Sequence, residues 1–155
     1  MAVDAPDATV RDCAAMPAMT PTDLSTFLAR AFPQGGTELF QIETLGDGFV
    51  RFSYDAGEND LRPGNTVSGP TLMMLSDTGM YMAVLAMIGP VALAVTTNLN
   101  INFLRKAHAG KLTVEVTILK LGKRLAVGEV FVHSEHAKGP VSHATVTYSI
   151  PPHGG

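Results

Sequence analysis

A chain of 155 residues, 46% hydrophobic and 16% charged, is long enough for one domain with a sizeable core, and it carries fewer charges than the roughly one quarter usual for soluble domains. A net charge of −3 and a pI near 5.9 argue against a general affinity for nucleic acid or anionic membrane. The single cysteine, Cys13, leaves no internal disulfide and suits a reducing compartment.

Residues 1–19 read as a flexible leader. They contain Asp4, Asp7 and Asp12 and no apolar run, so a secretory signal is not supported and a cytoplasmic location is expected. Thr20-Pro21-Thr22-Asp23 supplies an N-cap, a proline at the first helical position and an acid at the third. Leu24, Phe27, Leu28 and Ala31 follow at helical spacing, giving a short amphipathic helix over 21–32 that Pro33 and Gly35-Gly36 end. Two strand-like runs, 37–45 and 49–54, flank Gly46-Asp47-Gly48, a hairpin signal. Residues 55–69 are polar with Gly and Pro, and read as a loop long enough to attract a function.

Pro70 opens a helix running to about Met87, apolar on every face and therefore expected to be surrounded by protein. No charge occurs between Thr78 and Thr97, a length near the ~20 residues of a membrane span. Gly89-Pro90 breaks that stretch, so a core helix, a turn and a strand are expected instead. Residues 98–103, 112–118, 125–133 and 144–150 then read as strands, the first, second and fourth with period-two alternation. The fold class is α+β: one domain over 20–150, a curled antiparallel sheet wrapped around one long buried helix, and a tail at 151–155. The open edges of such a sheet usually pair with another copy.

Asp77 stands inside the apolar helix, where an unpaired carboxylate is costly. It is either a structural acid satisfied by a neighbouring group or a functional one. Upstream, Ser68-Gly69-Pro70 places small residues at the helix start, where free backbone N–H groups attract a negative oxygen. Asp77 lies about 10 Å along the axis from Pro70, too far for both groups to reach one carbonyl within a single chain. Two antiparallel copies of the helix would bring Asp77 of one chain towards Gly69 of the other, so catalysis there implies a dimer.

The run from Arg62 to Asp77, RPGNTVSGPTLMMLSD, resembles the signature of the PaaI type within the thioesterase superfamily. That signature is N-x-x-G-x-x-H-G-G, with a catalytic Asp eight residues after the first paired glycine. Residues 96–105, TTNLNINFLR, resemble the family's strand S/T-x-D/N-x-N-x-x-F/Y-L-R-P. With the strand pattern to Tyr148, the resemblance spans about residues 37–150. It implies a hotdog fold and hydrolysis of an acyl-CoA thioester without metal or redox cofactor. Asp77 would be the general base or nucleophile, the Gly69 N–H would polarise the carbonyl, and Thr96 would orient water. Arg105, Lys123 and Arg124 stand as candidates for the CoA phosphates, or as solvated surface charges.

The chain departs from the signature at three positions. Arg62 replaces its Asn, Ser68 its His, and Pro70, which has no N–H, its second paired glycine. Asn65 is a candidate to replace the missing amide, and Arg62 is carried with it on the substrate side. Ser68 either binds substrate or caps the helix. His108, His133, His136 and His143 fall on turns or strands and read as surface residues, with no metal-ligand spacing. The expected assembly is a homodimer, extending to a dimer of dimers. A non-catalytic acyl-CoA-binding protein of the same fold is the alternative: the substituted Arg62 and Ser68 favour it, whereas Asp77 and Thr96 favour hydrolysis.

Overall fold

The computed structural model describes residues 16–152; Cys13 and the three leader aspartates lie outside them. Helix α1 (Pro21–Ala31) starts on a capping box in which Thr20 and Asp23 exchange side-chain and backbone bonds, and it buries Leu24 and Leu28. Just before it, the Ala18 and Met19 N–H groups donate to the Ala86 carbonyl and Met19 is buried, tying the chain in from residue 18.

Gly36, at φ +62°, redirects the chain after α1. Thr37–Leu39 therefore closes a 3-10 turn, Leu39 N–H to Gly36 C=O, rather than the start of the expected strand. Strands β1 (Phe40–Gly46) and β2 (Phe49–Ala56) form the expected hairpin across Asp47-Gly48. The expected loop over 55–69 is more structured than its composition suggests. It holds a 3-10 turn (Glu58–Asp60) and a two-stranded ribbon of β3 (Leu61–Arg62) and β4 (Thr66–Val67), with Asn65 at φ +57° in the connecting turn.

Helix α2 (Gly69–Ile88) is followed by β5 (Val95–Phe103), β6 (Gly110–Leu121), β7 (Leu125–Ser134) and β8 (Pro140–Ser149). Six strands form one antiparallel sheet in the order β1-β2-β6-β7-β8-β5, wrapped around α2 in the expected hotdog arrangement. Two glycines let helix and sheet approach closely. A Cβ at Gly79 would lie 2.9 Å from Val116 and 3.1 Å from Phe52, and one at Gly128 would strike Met80. By length and composition α2 could cross a membrane, but it is the core helix, with Leu75, Met80, Met82, Val84 and Leu85 fully buried.

One expectation for α2 needs correction. The helix is not surrounded along its whole length: Met73 is 42% and Met74 36% exposed, and Asp77 and Thr78 are half-buried. The sheet covers one side of the helix, and the N-terminal half keeps an open face that apolar composition alone does not reveal.

Candidate active site

Asp77 is held from the sheet. Thr96 on β5 and Tyr148 on β8 are cross-strand partners, and their hydroxyls converge on the same carboxylate oxygen. Thr96 Oγ1 donates to Asp77 Oδ1 at 2.5 Å and Tyr148 OH donates to it at 2.8 Å. The phenol also lies 3.1 Å from the Asp77 carbonyl. Among the described residues no hydrogen bond reaches Oδ2. A bulge between Thr96 and Asn98 makes the convergence possible. Strict alternation would turn Thr96 outward with Asn98, Asn100 and Asn102; the extra residue, Thr97, resets the parity. Thr96, Leu99 and Ile101 then all face the helix, opposite Tyr148, Val146 and Ala144. Bulges commonly re-aim side chains beside active sites in this way.

Asp77 opens into a cleft of about 420 Å³. Leu28 of α1, Phe32 just after it, Phe40 of β1, Met74 and Tyr81 of α2, and Val95 of β5 form its apolar wall. Phe32 packs edge-on against Tyr81 at 5.8 Å, and Tyr81 in turn lies 6.0 Å from Tyr148. Burial, with the Asp77 charge beside it, pushes the Tyr148 phenol well above its ordinary range. Burial likewise raises Tyr81, whose hydroxyl donates to the Ala92 carbonyl.

Gly69 lines a different cleft, of about 540 Å³, edged by Arg62, Phe103, Arg105 and Lys106. Asp60 organises this end of α2. Its carboxylate accepts from Gly57 N–H at 2.9 Å, Tyr54 OH at 3.0 Å and Thr71 Oγ1 at 3.2 Å, while its carbonyl accepts from Ser68 N–H at 2.8 Å. Burial and the bond to Asp60 push the Tyr54 phenol up to about 12. Ser68 Oγ accepts from Thr71 N–H, capping the helix. Pro70 has no N–H to offer, and no acceptor meets the Gly69 N–H among the described residues. One unbonded donor therefore remains at the positive end of the helix.

The other residues singled out from sequence fall in three places. Arg62 and Arg105 reach the Gly69 cleft, with Arg105 also donating to the Pro140 carbonyl at 2.8 Å. Asn65 stands at the tip of the β3–β4 turn, its carbonyl 3.2 Å from His108 Nδ1, and lines neither cleft. Lys123 and Arg124 are exposed on the β6–β7 turn, also outside both clefts. Of the residues that the sequence did not single out, Tyr148 and Lys106 are the main additions. Tyr148 sits in the alternating run Ala144-Val146-Tyr148, which shows that it faces inward, but not that Thr96 lies opposite. Among the described residues, no three His, Cys, Asp or Glu side chains gather where they could hold a metal ion.

A family model described as the thioesterase superfamily matches residues 64–141, which include Gly69, Asp77 and Thr96. The crystal structure of a protein of Silicibacter sp. TM1040, assigned as a thioesterase, is 42% identical with a TM-score of 0.80, covering 89% of this chain and 96% of that one. A phenylacetic acid degradation-related protein of Ralstonia eutropha, also assigned as a thioesterase, is 25% identical with a TM-score of 0.70, covering 80% and 98%. A Streptococcus pneumoniae protein assigned as a thioesterase, solved with coenzyme A, shares the fold at 22% identity and a TM-score of 0.68, covering 86% and 98%.

Proposed function

The chain belongs to the thioesterase superfamily and is a thioester hydrolase; from that premise we propose that it cleaves acyl-CoA to free acid and CoA in sites shared across a homodimer. The observation that carries this reading is the Asp77 carboxylate, with one oxygen fixed by two hydroxyls and the other open to an apolar cleft. That free oxygen takes a proton from water as the water oxygen bonds to the carbonyl carbon, or attacks the carbon itself. In the first route the C–S bond breaks as Asp77 returns that proton to the sulfur, releasing the acid and the CoA thiol. In the second, a water gives its proton to the departing CoA thiolate and its oxygen to the acyl carbon of the acyl–Asp77 anhydride, freeing the acid and the carboxylate. The acyl group occupies the Asp77 cleft against Phe32, Phe40 and Tyr81. The developing oxyanion meets the Gly69 N–H of the second chain, because Asp77 and Gly69 line different clefts of one chain.

Arg62, Arg105 and Lys106, grouped beside Gly69, suit the phosphates of CoA. The S. pneumoniae protein of the same fold was solved with coenzyme A, which supports a CoA thioester as substrate. The open face of α2 at Met73 and Met74 and the edge strand β5, with Val95 and Phe103 exposed, are the surfaces that a second copy would cover. A cytoplasmic location accords with the single cysteine.

The test is thiol release from acetyl-, hexanoyl-, phenylacetyl- and palmitoyl-CoA by wild type and Asp77→Asn. Wild type is expected to turn over at least one of them, and the variant to lose at least about 10²-fold in kcat, the low end for removing a positioned base. The fold should survive, because the amide oxygen still accepts from Thr96 and Tyr148. Tight CoA binding with no release from any member of the panel would replace hydrolysis with simple acyl-CoA binding.

A further inference from the structure

We infer that Tyr148 is a positioning residue, a second hydroxyl that fixes the Asp77 carboxylate so that only Oδ2 faces the substrate. The inference rests on the reading of Asp77 as the attacking carboxylate. Nothing in the motifs around Gly69, Asp77 or Thr96 requires a hydroxyl on β8; the cross-strand register places one there. A carboxylate on a single methylene rotates about its terminal bond over a broad range. One donor on Oδ1 leaves that rotation loosely restrained, whereas donors from two adjacent strands define it. Tyr148 is itself held: its ring is buried and packs against Tyr81, so the hydroxyl arrives on a rigid lever. Because burial keeps the phenol protonated far above neutral pH, it stays a neutral donor wherever Asp77 is ionised. The lining side chains from α1, β1 and β5 are uncharged, and the ionisable groups besides Asp77 are Tyr81 and Tyr148. No other lining group titrates near the carboxylate in the acid range.

Losing the Tyr148 donor leaves Thr96 as the one hydroxyl on the carboxylate, which is then freer to turn about its terminal bond. In Tyr148→Phe, which keeps the ring and its packing, kcat is expected to fall about 10- to 100-fold, the scale of one charge-assisted hydrogen bond. KM should stay within about two-fold, since the phenol acts through Asp77. The carboxyl-carbon resonance of Asp77, followed by carbon-13 NMR at one fixed pH, should shift on loss of the Tyr148 hydrogen bond, a readout that does not depend on turnover. An unchanged resonance, or a KM that rises as much as kcat falls, would reduce Tyr148 to a packing residue and overturn the inference while leaving Asp77 as the base. Full activity in Asp77→Asn would overturn both. If Tyr148→Phe does not fold, Thr96→Val supplies the comparison. With Tyr148 as the remaining donor it should keep measurable turnover with a shifted Asp77 resonance, and a complete loss would show that Thr96 alone positions the carboxylate.

Discussion

The cleft at Asp77 and the cleft at Gly69 lie on the same helix eight residues apart, yet they are built from different materials. The first is walled by α1, β1, β5 and β8, is lined by aromatic and aliphatic side chains, and holds its acid through hydroxyls from two strands. The second is walled by the β3–β4 ribbon and the segment after β5, carries Arg62, Arg105 and Lys106, and offers a backbone N–H. Attack on a thioester needs an acid and an oxyanion donor around one carbonyl; binding its CoA portion needs cations, and binding its acyl portion needs apolar wall. Each cleft supplies about half of that set. On the proposed reading, this division accounts for three cations beside one glycine in a chain with few charges.

The sharpest way to break this comparison is to disable each half separately. Gly69→Pro removes the N–H without disturbing the backbone. Ser68 already has the extended conformation that precedes proline, φ −71° and ψ 152°, and the first helical position accepts proline. Turnover is expected to fall about 10²- to 10³-fold, the effect of losing one oxyanion donor. Gly69→Ala meets the same crowding, 3.3 Å from the Phe103 ring, but keeps the N–H, so its loss should be far smaller. Refolding Gly69→Pro together with Asp77→Asn should restore roughly a quarter of wild-type activity, since half of the dimers are then mixed and each of these carries one intact shared site of two. No restoration, with mixed dimers verified by mass, would place both groups of each site in one chain.

A smaller effect separates the clefts by substrate portion. Arg62→Ala and Lys106→Ala should each raise KM for acyl-CoA about 2- to 5-fold at low salt with little change in kcat, the scale of an exposed charge pair. The difference should shrink as ionic strength rises. Arg105→Ala is a poorer probe, because its guanidinium also holds the Pro140 carbonyl. Smallest is Phe32→Ala, which removes a ring 46% exposed from the Asp77 cleft. It should raise KM for longer acyl chains by about 2-fold, as partial loss of apolar burial predicts, and leave the KM for acetyl-CoA nearly unchanged. An equal effect on acetyl- and palmitoyl-CoA would show that the acyl group lies elsewhere.

Much of this was legible in the chain itself. The capping box at Thr20 and Asp23, the hairpin at Asp47-Gly48, the uninterrupted apolar run of α2 and the alternating strands are local patterns, and local patterns survive in a one-dimensional reading. Asp77 declared itself by its apolar surroundings, and the helix start at Gly69 by its small residues. The ribbon at 61–67 was hidden because its two-residue strands are shorter than any periodicity. Asn65 took its place there through a turn at positive φ, a conformation Asn tolerates better than most residues.

Tertiary structure alone decided how the site is assembled. Period-two reading places Thr97 on the inner face, and the bulge gives that place to Thr96. Register alone sets Tyr148 opposite it, because a strand's sequence states which residues share a face but not which residue of another strand each one meets. The exposure of Met73 and Met74 belongs to the same class, since it depends on how far the sheet curls around the helix. Its apolar neighbours along the chain mark the acid at position 77; the pairing of β5 with β8 determines which of its oxygens is free.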